Sequence, residues 1–430
     1  MFDLNQLKKY YYNSPQWMKK IYGSIPFDIR NGHEYRKWKK FLHERISIEE
    51  YELIKLKETI CYAYKHTIYY KELFDELQVS PHEINSRKDF AKLPIIDKED
   101  IRNNYDKLIV KNWSSKKSFY VTTGGTSGTP MKFLQSKNVW AKEVAFIMNF
   151  FEQYGFLTNM IKASFRGGEF SDLPQDTYWK YNPHASEIHF SPFHINDETI
   201  KFYVEELNKN KIKYFQTYPS SIKLLIESMK KNNLKLDYKV DTVCLFSENT
   251  INDDVELIQS FFNCRVASLF GHSERLVFAP SFSDDVSDFK IDRRYGLFEL
   301  VNDKQMVINQ NDIVGEMVGT SFDNYAMPLL RYKLNDKTSY KNSSKYIVNK
   351  VDGRWKQEFL DGKNGMRIYL TALNMHSNIF DNVIKYQFIQ IAPSYVELCL
   401  QVKNEFGDSD KQLIKSALDA KAGHMISFHV

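Results

Sequence analysis

The sequence predicts an α/β fold with a large N-terminal domain, whose parallel or mixed sheets are flanked by helices, and a small C-terminal α+β domain. A strand–helix–strand–helix–strand pattern over residues 214–270 is typical of a parallel sheet with right-handed crossovers. The alternating pattern that begins at Gly315 is typical of antiparallel strands. With 430 residues, the chain is long enough for two or three domains.

The composition is that of a globular protein. Hydrophobic residues make up 43% of the chain and charged residues 26%, and the net charge of +5 is too small to favour nucleic-acid binding. The four cysteines lie far apart and predict neither a metal site nor a disulfide framework. The N-terminus has no apolar signal core, and the most apolar helix candidate, residues 144–157, is too short to span a bilayer. We therefore expect a cytoplasmic protein with free thiols.

Two helix starts can be placed in the N-terminal part of the chain. Ser47-Ile48-Glu49-Glu50 is a capping box that precedes apolar residues at helical spacing. The segment Leu93-Pro94-Ile95-Ile96-Asp97-Lys98 predicts an extended turn followed by a short helix that starts at Asp97. Neither segment by itself indicates chemistry.

The stretch Thr122-Thr123-Gly124-Gly125-Thr126-Ser127-Gly128-Thr129-Pro130 is the strongest candidate for a binding loop, between predicted strands at residues 118–121 and 131–134. Its glycines allow close approach of a ligand, its hydroxyls can bind phosphate oxygens or Mg²⁺, and its N–H groups can form an anion-binding concavity. It is not a Walker A loop, because no Gly-Lys-Ser/Thr follows at the required spacing. A Gly-rich hairpin turn is the simpler interpretation, but it leaves the five hydroxyl residues unexplained.

Polar clusters follow the three strands of the β-α-β-α-β pattern, which we expect at residues 214–218, 241–246 and 265–270. The helices between them are expected at residues 220–231, after Pro219, and at residues 253–262. The clusters are Tyr218-Pro219-Ser220-Ser221, Ser247-Glu248-Asn249 and Gly271-His272-Ser273-Glu274. Each could be a helix cap or a solvated loop. Because ligands bind at the carboxyl ends of parallel strands, three clusters at one sheet edge favour a binding site.

The C-terminal part predicts strands at residues 315–321 and 328–333, the second closed by Asn335-Asp336. A polar stretch, residues 355–365, precedes a small unit with strands near residues 386–391 and 395–402, a helix at about residues 408–422 and a last strand at residues 425–430. We therefore divide the chain into a large domain, residues 1–353, and a small domain, residues 354–430.

Several segments resemble motifs of the acyl-adenylate-forming enzymes. Residues 119–133 resemble their phosphate loop, and residues 93–100 resemble the LP-x-x-x-K segment of the phenylacetate–CoA ligase branch. Leu269-Phe270-Gly271-His272-Ser273-Glu274-Arg275 resembles the Tyr-Gly-x-Ser/Thr-Glu motif. Asn324-Tyr325-Ala326-Met327-Pro328-Leu329-Leu330-Arg331-Tyr332, with Asp336, resembles N-x-A-M-P-L-I-R-Y-x-x-G-D, and Gly353-Arg354 matches the hinge. The resemblance covers about residues 50–430 and is greatest to the CapK-type subgroup.

The resemblance implies an ATP-dependent, AMP-forming carboxylate ligase. A carboxylate would attack the α-phosphate of ATP, giving acyl-AMP and pyrophosphate, and an amine or thiol would then take the acyl group. Positioning and charge stabilisation would dominate catalysis. The CapK-type subgroup is associated with capsular or other surface polysaccharide biosynthesis, so we expect an amine acceptor. The implied cofactors are ATP and Mg²⁺, and the implied partners are a small carboxylate and an amine or the CoA thiol. A homodimer is kept open.

The resemblance also assigns residues to the phosphates and the metal. The hydroxyls that would hold the β- and γ-phosphates are those of Thr123, Thr126, Ser127 and Thr129. The loop glycines are Gly124, Gly125 and Gly128. Glu274 would hold Mg²⁺, which neutralises charge on the leaving pyrophosphate. The catalytic candidates are Thr126, Glu274 and Arg354.

For the rest of the nucleotide, Phe270 would stack on adenine, and Asp336 would accept both ribose hydroxyls with its two oxygens. Arg354 would also reach the nucleotide, and Ser247 and Glu248 would line the adenine or acyl side. The remaining nucleotide-binding candidates are Gly271, His272 and Ser273. Taken alone, Asp336 could be an ordinary turn residue, Arg354 a surface ion-pair partner, and Glu274 a solvated loop residue. Candidate pocket groups for the acyl substrate are Arg166, His184, His194 and Tyr218, although a lone His is more often structural.

Three departures from the family pattern are visible. Asn335 stands where the family usually has Gly, and Phe270 lacks the hydroxyl of the usual Tyr. The sequence stops at Val430, at the strand that in the family precedes a Gly-Lys segment whose lysine enters the site. Truncation, poor adenylation and substitution by another group all stay open. Three functions stay open with them: an acyl-adenylate ligase with an amine acceptor, a phenylacetate-type acyl–CoA ligase, and a nucleotide-binding homologue impaired in catalysis.

The short polar stretch at residues 355–358 follows Gly353, which can absorb a backbone change. We expect residues 355–430 to move as a rigid body relative to residues 1–350, because few contacts should cross the stretch.

Overall fold

The structure of the chain is a computed structural model that describes residues 14–123, 131–168, 170, 173–281, 286–351, 358–363, 367–373 and 378–430. The helices of this part are α1 (Gln16–Ser24), α2 (Phe27–Arg30), α3 (Gly32–Leu42), α4 (Ile48–His66), α5 (Ile68–Leu77), α6 (Arg87–Phe90), α7 (Lys98–Asn103), α8 (Tyr105–Leu108), α9 (Lys137–Gln153), α10 (Ile200–Asn210), α11 (Pro219–Lys231), α12 (Asn252–Phe262), α13 (Leu370–Leu373) and α14 (Asp408–Ala422).

The strands of the same part are β1 (Ser118–Thr123), β2 (Met131–Ser136), β3 (Lys162–Phe165), β4 (Trp179–Asn182), β5 (Glu187–Phe190), β6 (Tyr214–Thr217), β7 (Thr242–Phe246), β8 (Arg265–Gly271), β9 (Phe278–Pro280), β10 (Phe289–Lys290), β11 (Gly296–Val301), β12 (Val314–Ser321), β13 (Tyr332–Asn342), β14 (Ile347–Val348), β15 (Phe359–Asp361), β16 (Arg367–Tyr369), β17 (Val383–Ala392), β18 (Tyr395–Val402) and β19 (Ser427–His429). The two helix starts are as predicted: Ser47 caps α4, and Asp97 caps α7 with a capping box.

The main sheet has seven strands in the order β4-β5-β3-β6-β7-β8-β9. Neighbouring strands from β5 to β8 are parallel, and β4 and β9 add antiparallel edges. Helices cover both faces: Val243 and Leu245 pack in the core that contains α11 and α12, whereas Cys244 between them packs in the core that contains α9. This alternation is the period of two that a strand buried on both faces requires. The predicted parallel sheet with helical crossovers is therefore confirmed.

A second sheet of five strands has the order β10-β14-β13-β12-β11, with antiparallel pairing throughout. Its predicted strand at residues 328–333 is misplaced, because β13 begins only at Tyr332 and continues to Asn342. The residues before Tyr332 cannot extend it: Pro328 has no N–H to donate, and Arg331 has a left-handed backbone with φ of 49°. The apolar helix expected at residues 144–157 also differs, because α9 ends at Gln153 and Gly155 has φ of 90°.

The C-terminal unit contains the predicted elements. Strands β17 and β18 form an antiparallel hairpin, β19 pairs in parallel with β18, and α14 covers the sheet. Helix α14 has the predicted bounds, and β19 is shorter than predicted. The boundary between Gly353 and Arg354, and with it the hinge, lies outside the described residues. The two-domain division and the rigid-body motion stay predictions.

The C-terminal unit contacts the main sheet layer through apolar and polar groups. Phe170 and Phe193 belong to the same buried cluster as Leu373 and Met425. The imidazole rings of His194 and His424 stack in parallel, with ring centres 4.0 Å apart. The C-terminal unit also contacts strand β2 of the hairpin, where Lys132 Nζ lies 2.7 Å from a carboxylate oxygen of Asp381.

Arg331 is the largest side chain in the fully buried interior and is 2% exposed. Its guanidinium donates to Glu299 Oε2 at 3.0 Å and to the carbonyls of Ala91 and Leu93. Its own carbonyl accepts from the N–H of Ile96 at 3.0 Å. These bonds join the second sheet to the segment that leads into α7.

We expect Arg331→Met to lower the free energy of unfolding by about 3–5 kcal/mol, because Glu299 would remain buried without its cation. Burial raises the pKa of Glu299 while Arg331 opposes this shift, so the variant should have a still higher Glu299 pKa. The variant should then lose stability as the pH rises above the unfolded-state pKa of about 4.3.

Urea unfolding at pH 5 and pH 8 measures both effects. The control is Lys333→Met, which removes a partly exposed ion pair with Glu316 and should cost less than about 1 kcal/mol. A loss for Arg331→Met no larger than that of the control would contradict this prediction.

His194 and His424, which stack where the C-terminal unit meets the rest of the chain, should make the fold sensitive to acid. Burial, with the neighbouring His424, lowers the pKa of His194 to about 4, and burial with the charge of Lys363 lowers the pKa of His424. The folded state therefore holds both rings neutral, whereas the unfolded chain takes up protons as the pH falls below about 6.5. Stability should be lost between pH 6.5 and about 4.

Thermal unfolding measured across this window should show a flatter pH profile for His424→Phe, which keeps the ring but cannot ionise. His33→Asn, at a largely exposed position, should leave the profile unchanged. Equal profiles for His424→Phe and the unchanged protein would remove the histidine pair as the cause.

Candidate nucleotide and acyl site

A cavity of about 430 Å³ opens at the carboxyl ends of β6, β7 and β8, where the sequence predicts a binding site. The predicted nucleotide- and metal-binding residues that the structure describes beyond β1 all line it: Ser247, Glu248, Phe270, Gly271, His272, Ser273, Glu274 and Asp336. Tyr218, which follows β6, also lines the cavity. The three polar clusters thus meet at one sheet edge, together with a residue from the second sheet.

Glu274 lies in the loop after β8 and is only 8% exposed. The phenol of Tyr332 donates to its Oε1 at 3.4 Å. Phe270 is the second-last residue of β8. It is half-buried, and its ring centre lies 6.3 Å from that of Phe289. The strand therefore brings a carboxylate and an aromatic ring to the same wall of the cavity.

The loop after β8 is tied to the hairpin formed by β1 and β2. Gln135 in β2 donates through Nε2 to the carbonyl of Ser273 at 2.8 Å and accepts from the guanidinium of Arg275. Asn324 accepts at Oδ1 from the N–H of Ser136 at 3.0 Å and donates to the carbonyl of Leu134 at 3.0 Å. The hairpin that carries residues 124–130 is therefore held against both the Glu274 loop and the second sheet.

Glu248 closes the cavity against the start of α11. Its Oε2 accepts from the backbone N–H of Ser220 at 2.9 Å, and its Oε1 accepts from the Ser220 hydroxyl at 2.8 Å. The hydroxyl of Thr371, in the C-terminal unit, donates to the same carboxyl group. Burial raises the Glu248 pKa, and these donors act against the shift. Ser247 before it has φ of 64°, a backbone conformation that costs energy for a residue with a side chain.

Asp336 lies within β13 of the second sheet and lines the cavity together with the main-sheet loops. It is not a turn residue, since the strand continues on both sides of it. Asn335 before it has φ of 59°. Asn is one of the few residues that tolerate the left-handed region, so Asn335 can adopt the backbone conformation at the position where the adenylate-forming motif has Gly. The register with β12 shifts at this point.

The phosphate-loop candidates and Arg354 fall almost entirely outside the described part of the chain. Residues 124–130, and with them Gly124, Gly125, Thr126, Ser127, Gly128 and Thr129, lie outside the described residues, and so does Arg354. Thr123 is described as the last backbone position of β1. The two predicted flanking strands are present, and they pair as a hairpin with Thr123 opposite Met131.

Among the candidate pocket groups, only Tyr218 lines this cavity. Arg166 pairs with the buried carboxylate of Glu187 at 2.5 Å, and the His184 ring lies beside Tyr22. His194 faces His424 instead. The structure adds cavity residues that the sequence analysis missed: Lys98, Trp140, Gln216, Lys350 and Thr371. Of these, Lys98 could have been identified from the sequence, because it is the lysine of the LP-x-x-x-K segment and the first residue of α7.

No cluster of three or more metal-binding side chains occurs in the described part of the chain. Within the same residues, no helix has the length and apolar character needed to cross a bilayer. The four cysteines are unpaired, in agreement with the expectation of free thiols.

Comparison with known proteins gives one long alignment and several similar folds. The chain is 27% identical to Protein CapK of Staphylococcus aureus over 95% of its own length and 94% of that protein. It is 31% identical to the phenylacetate-coenzyme A ligase of Aromatoleum evansii over 22% of each chain. No protein-family model matches.

Crystal structures of a 2-hydroxyisobutyryl-CoA ligase have a similar fold. One, with 2-HIB-AMP and CoA in the thioesterification state, superposes with a TM-score of 0.57 and 15% identity over 89% of this chain and 85% of that one. Another, in the postadenylation state with R3-HIB-AMP, gives a TM-score of 0.56 over the same shares. The prediction of an AMP-forming ligase agrees with these relatives. The predicted resemblance is therefore supported: the chain is similar to Protein CapK along almost its whole length and to a phenylacetate-coenzyme A ligase over part of it, and it has the fold of the 2-hydroxyisobutyryl-CoA ligase.

Proposed function

We propose that the protein activates a carboxylate with ATP, giving acyl-AMP and pyrophosphate, and transfers the acyl group to an amine in surface polysaccharide biosynthesis. One observation carries the adenylation step: Glu274, Phe270 and Asp336, from two separate sheets, line one cavity beside the β1–β2 hairpin. A structural role for each residue alone would not require that they meet.

In the first step, a substrate carboxylate oxygen attacks the α-phosphorus, and the bond from phosphorus to the leaving pyrophosphate oxygen breaks. Residues 124–130 bind the departing phosphates with N–H groups and hydroxyls. Phe270 stacks on adenine and Asp336 accepts from the ribose hydroxyls, which fixes the α-phosphate relative to the acyl side of the cavity. Positioning supplies most of the rate, because no protein nucleophile is needed.

Mg²⁺ would be held by Glu274, and when bound it supplies charge neutralisation on the pyrophosphate. The residues fit this cation. Glu274 is a nearly buried carboxylate that lines the cavity, and its hydrogen bond from Tyr332 is long. Mg²⁺ in nucleotide sites is usually bound by one or two carboxylates together with phosphate oxygens, so a single carboxylate is sufficient.

In the second step, an amine nitrogen attacks the acyl carbon, AMP leaves with the bonding electrons, and the amine loses a proton. The amine acceptor and the role in polysaccharide biosynthesis are what the resemblance to the CapK-type subgroup implies, and the long similarity to Protein CapK supports that resemblance. The alternative acceptor is the CoA thiol, which is favoured by the names of the two CoA ligases with similar sequence or fold.

The test is a screen of carboxylates with ATP and Mg²⁺, read by pyrophosphate release and by mass spectrometry of acyl-AMP. The double variant Thr126→Ala/Ser127→Ala should bind ATP more weakly with the fold intact, because two phosphate-binding hydroxyls are lost. Asp303→Ala, at an exposed position, is the control. Once a substrate is found, an amide or a thioester product distinguishes the two acceptors.

ATP binding without pyrophosphate release for any carboxylate would favour the nucleotide-binding alternative. Unchanged ATP affinity in the Thr126/Ser127 variant would leave the loop as a hairpin turn only.

Asp336→Ala should abolish most of the preference for ATP over 2′,3′-dideoxy-ATP. The substitution removes two hydrogen bonds to a charged acceptor, each worth about 1.5–3 kcal/mol. Binding of both nucleotides should be measured by calorimetry, with Asp303→Ala as the control. A preference for ATP that survives in the Asp336 variant would count against the ribose assignment.

A further inference from the structure

Helix α1 turns an apolar face away from the protein. Trp17, Met18 and Ile21 are 62%, 45% and 61% exposed. At 100° per residue these three positions fall on one side of the helix. Ile25 and Ile29 continue the exposed surface beyond the helix end, with exposed fractions of 38% and 59%. We call these five side chains the outer face.

The opposite side of the same helix faces the protein, which reverses the usual pattern of a surface helix. Lys19 is buried, and burial together with Lys180 lowers its pKa. Gly23 lies so close to Pro183 that a Cβ there would come within 2.6 Å of the proline side chain. The Tyr22 phenol lies 3.4 Å from His184 Nδ1. Helix α1 therefore packs against the protein through the side that carries Lys19, Tyr22 and Gly23, and the outer face is exposed to solvent.

The positive charge of the chain is concentrated in the same region. Residues 1–45 contain ten Lys and Arg against four Asp and Glu, whereas residues 46–430 contain 49 against 50. In the described part of this region, from residue 14 onward, the exposed cations are Lys20, Arg36, Lys37, Lys40 and Arg45. The net positive charge of the protein thus belongs to the segment that carries the outer face.

We propose that helices α1 to α3 form a docking surface for an anionic lipid bilayer, with the outer face at the boundary between headgroups and acyl chains. A helix with Trp and Ile exposed on one side, in a segment rich in exposed Lys and Arg, is suited to this position. The exposed cations attract the anionic headgroups, and this attraction acts within a Debye length of the surface.

Charge also decides against two other ways to cover the outer face. A second copy of the chain would bring a second excess of cations against the first, and the two would repel. Residues 1–13 carry Lys8 and Lys9 against Asp3, so covering the face with them would add like charge as well. An anionic bilayer is the occupant whose charge is complementary.

The experiment is co-sedimentation of the full chain, without ATP, with vesicles of phosphatidylcholine alone and of phosphatidylcholine with about one third phosphatidylglycerol. Binding should be about tenfold tighter to the anionic vesicles and should weaken as salt rises from roughly 0.1 M to 1 M. Trp17→Ser/Ile21→Ser and Lys37→Glu/Lys40→Glu should each weaken binding by about tenfold. The control Met306→Ser/Val314→Ser, at positions 58% and 61% exposed, should bind like the unchanged protein.

Equal binding to both kinds of vesicle would overturn the proposal. It would also be overturned if the Trp17/Ile21 variant bound like the control, or if that variant changed the molar mass in solution without vesicles, since a second copy would then cover the face. The substituted residues do not line the nucleotide cavity, so ligase activity in solution should be unchanged in each variant. A failure of the ligase proposal and a failure of this one are therefore separate results.

Discussion

The buried guanidinium of Arg331 links the parts of the fold on which the site depends. It neutralises Glu299 in the second sheet and also binds the carbonyls of Ala91 and Leu93. Because an unpaired charge in this interior would cost several kcal/mol, the two segments cannot separate without breaking the fold. Lys98 starts α7 just beyond the bound segment, and Asp336 lies in β13, which begins directly after Arg331. The bonds of one guanidinium thus join the segments that carry two cavity residues.

Asn324 plays a comparable role for the phosphate-loop hairpin. Its amide bonds to β2 and to the carbonyl of Met327, and Gln135 then connects the same strand to the loop that carries Glu274. The conspicuous motif from Asn324 to Tyr332 therefore contributes mainly to support, and only the neighbouring Asp336 lines the cavity. A residue that holds a binding loop in place affects binding without contacting the ligand.

The sequence could predict the parallel sheet and its cavity because the local signals there agree with the tertiary structure. Pro219 begins a helix, the strands are largely apolar, and the polar clusters come directly after them. The roles of Arg331 and Asn324 could not be predicted, because the partners that join them to other segments, such as Leu93 and Leu134, are more than 180 residues away. The same is true of Glu248, whose bond to Thr371 depends on how a distant segment packs. Strand β13 was misplaced because the left-handed backbone of Arg331 has no signal in the sequence.

Glu248 relates the cavity to the C-terminal unit more directly than the apolar cluster does. Burial raises its pKa, and donors from both parts of the chain, Ser220 and Thr371, counter this shift. Movement of the C-terminal unit as a rigid body would take the Thr371 hydroxyl away and admit water in its place. The carboxyl group would exchange one donor for a better solvated environment, so the two changes in its pKa would partly cancel. The stacked pair of His194 and His424 has no such compensation, because burial lowers the pKa of both rings, and His424 and Lys363 respectively add to the shift in the same direction. Near neutral pH, separation of the two parts would therefore release protons neither from Glu248 nor from the two histidines. In mild acid, the two histidines would take up protons when the parts separate.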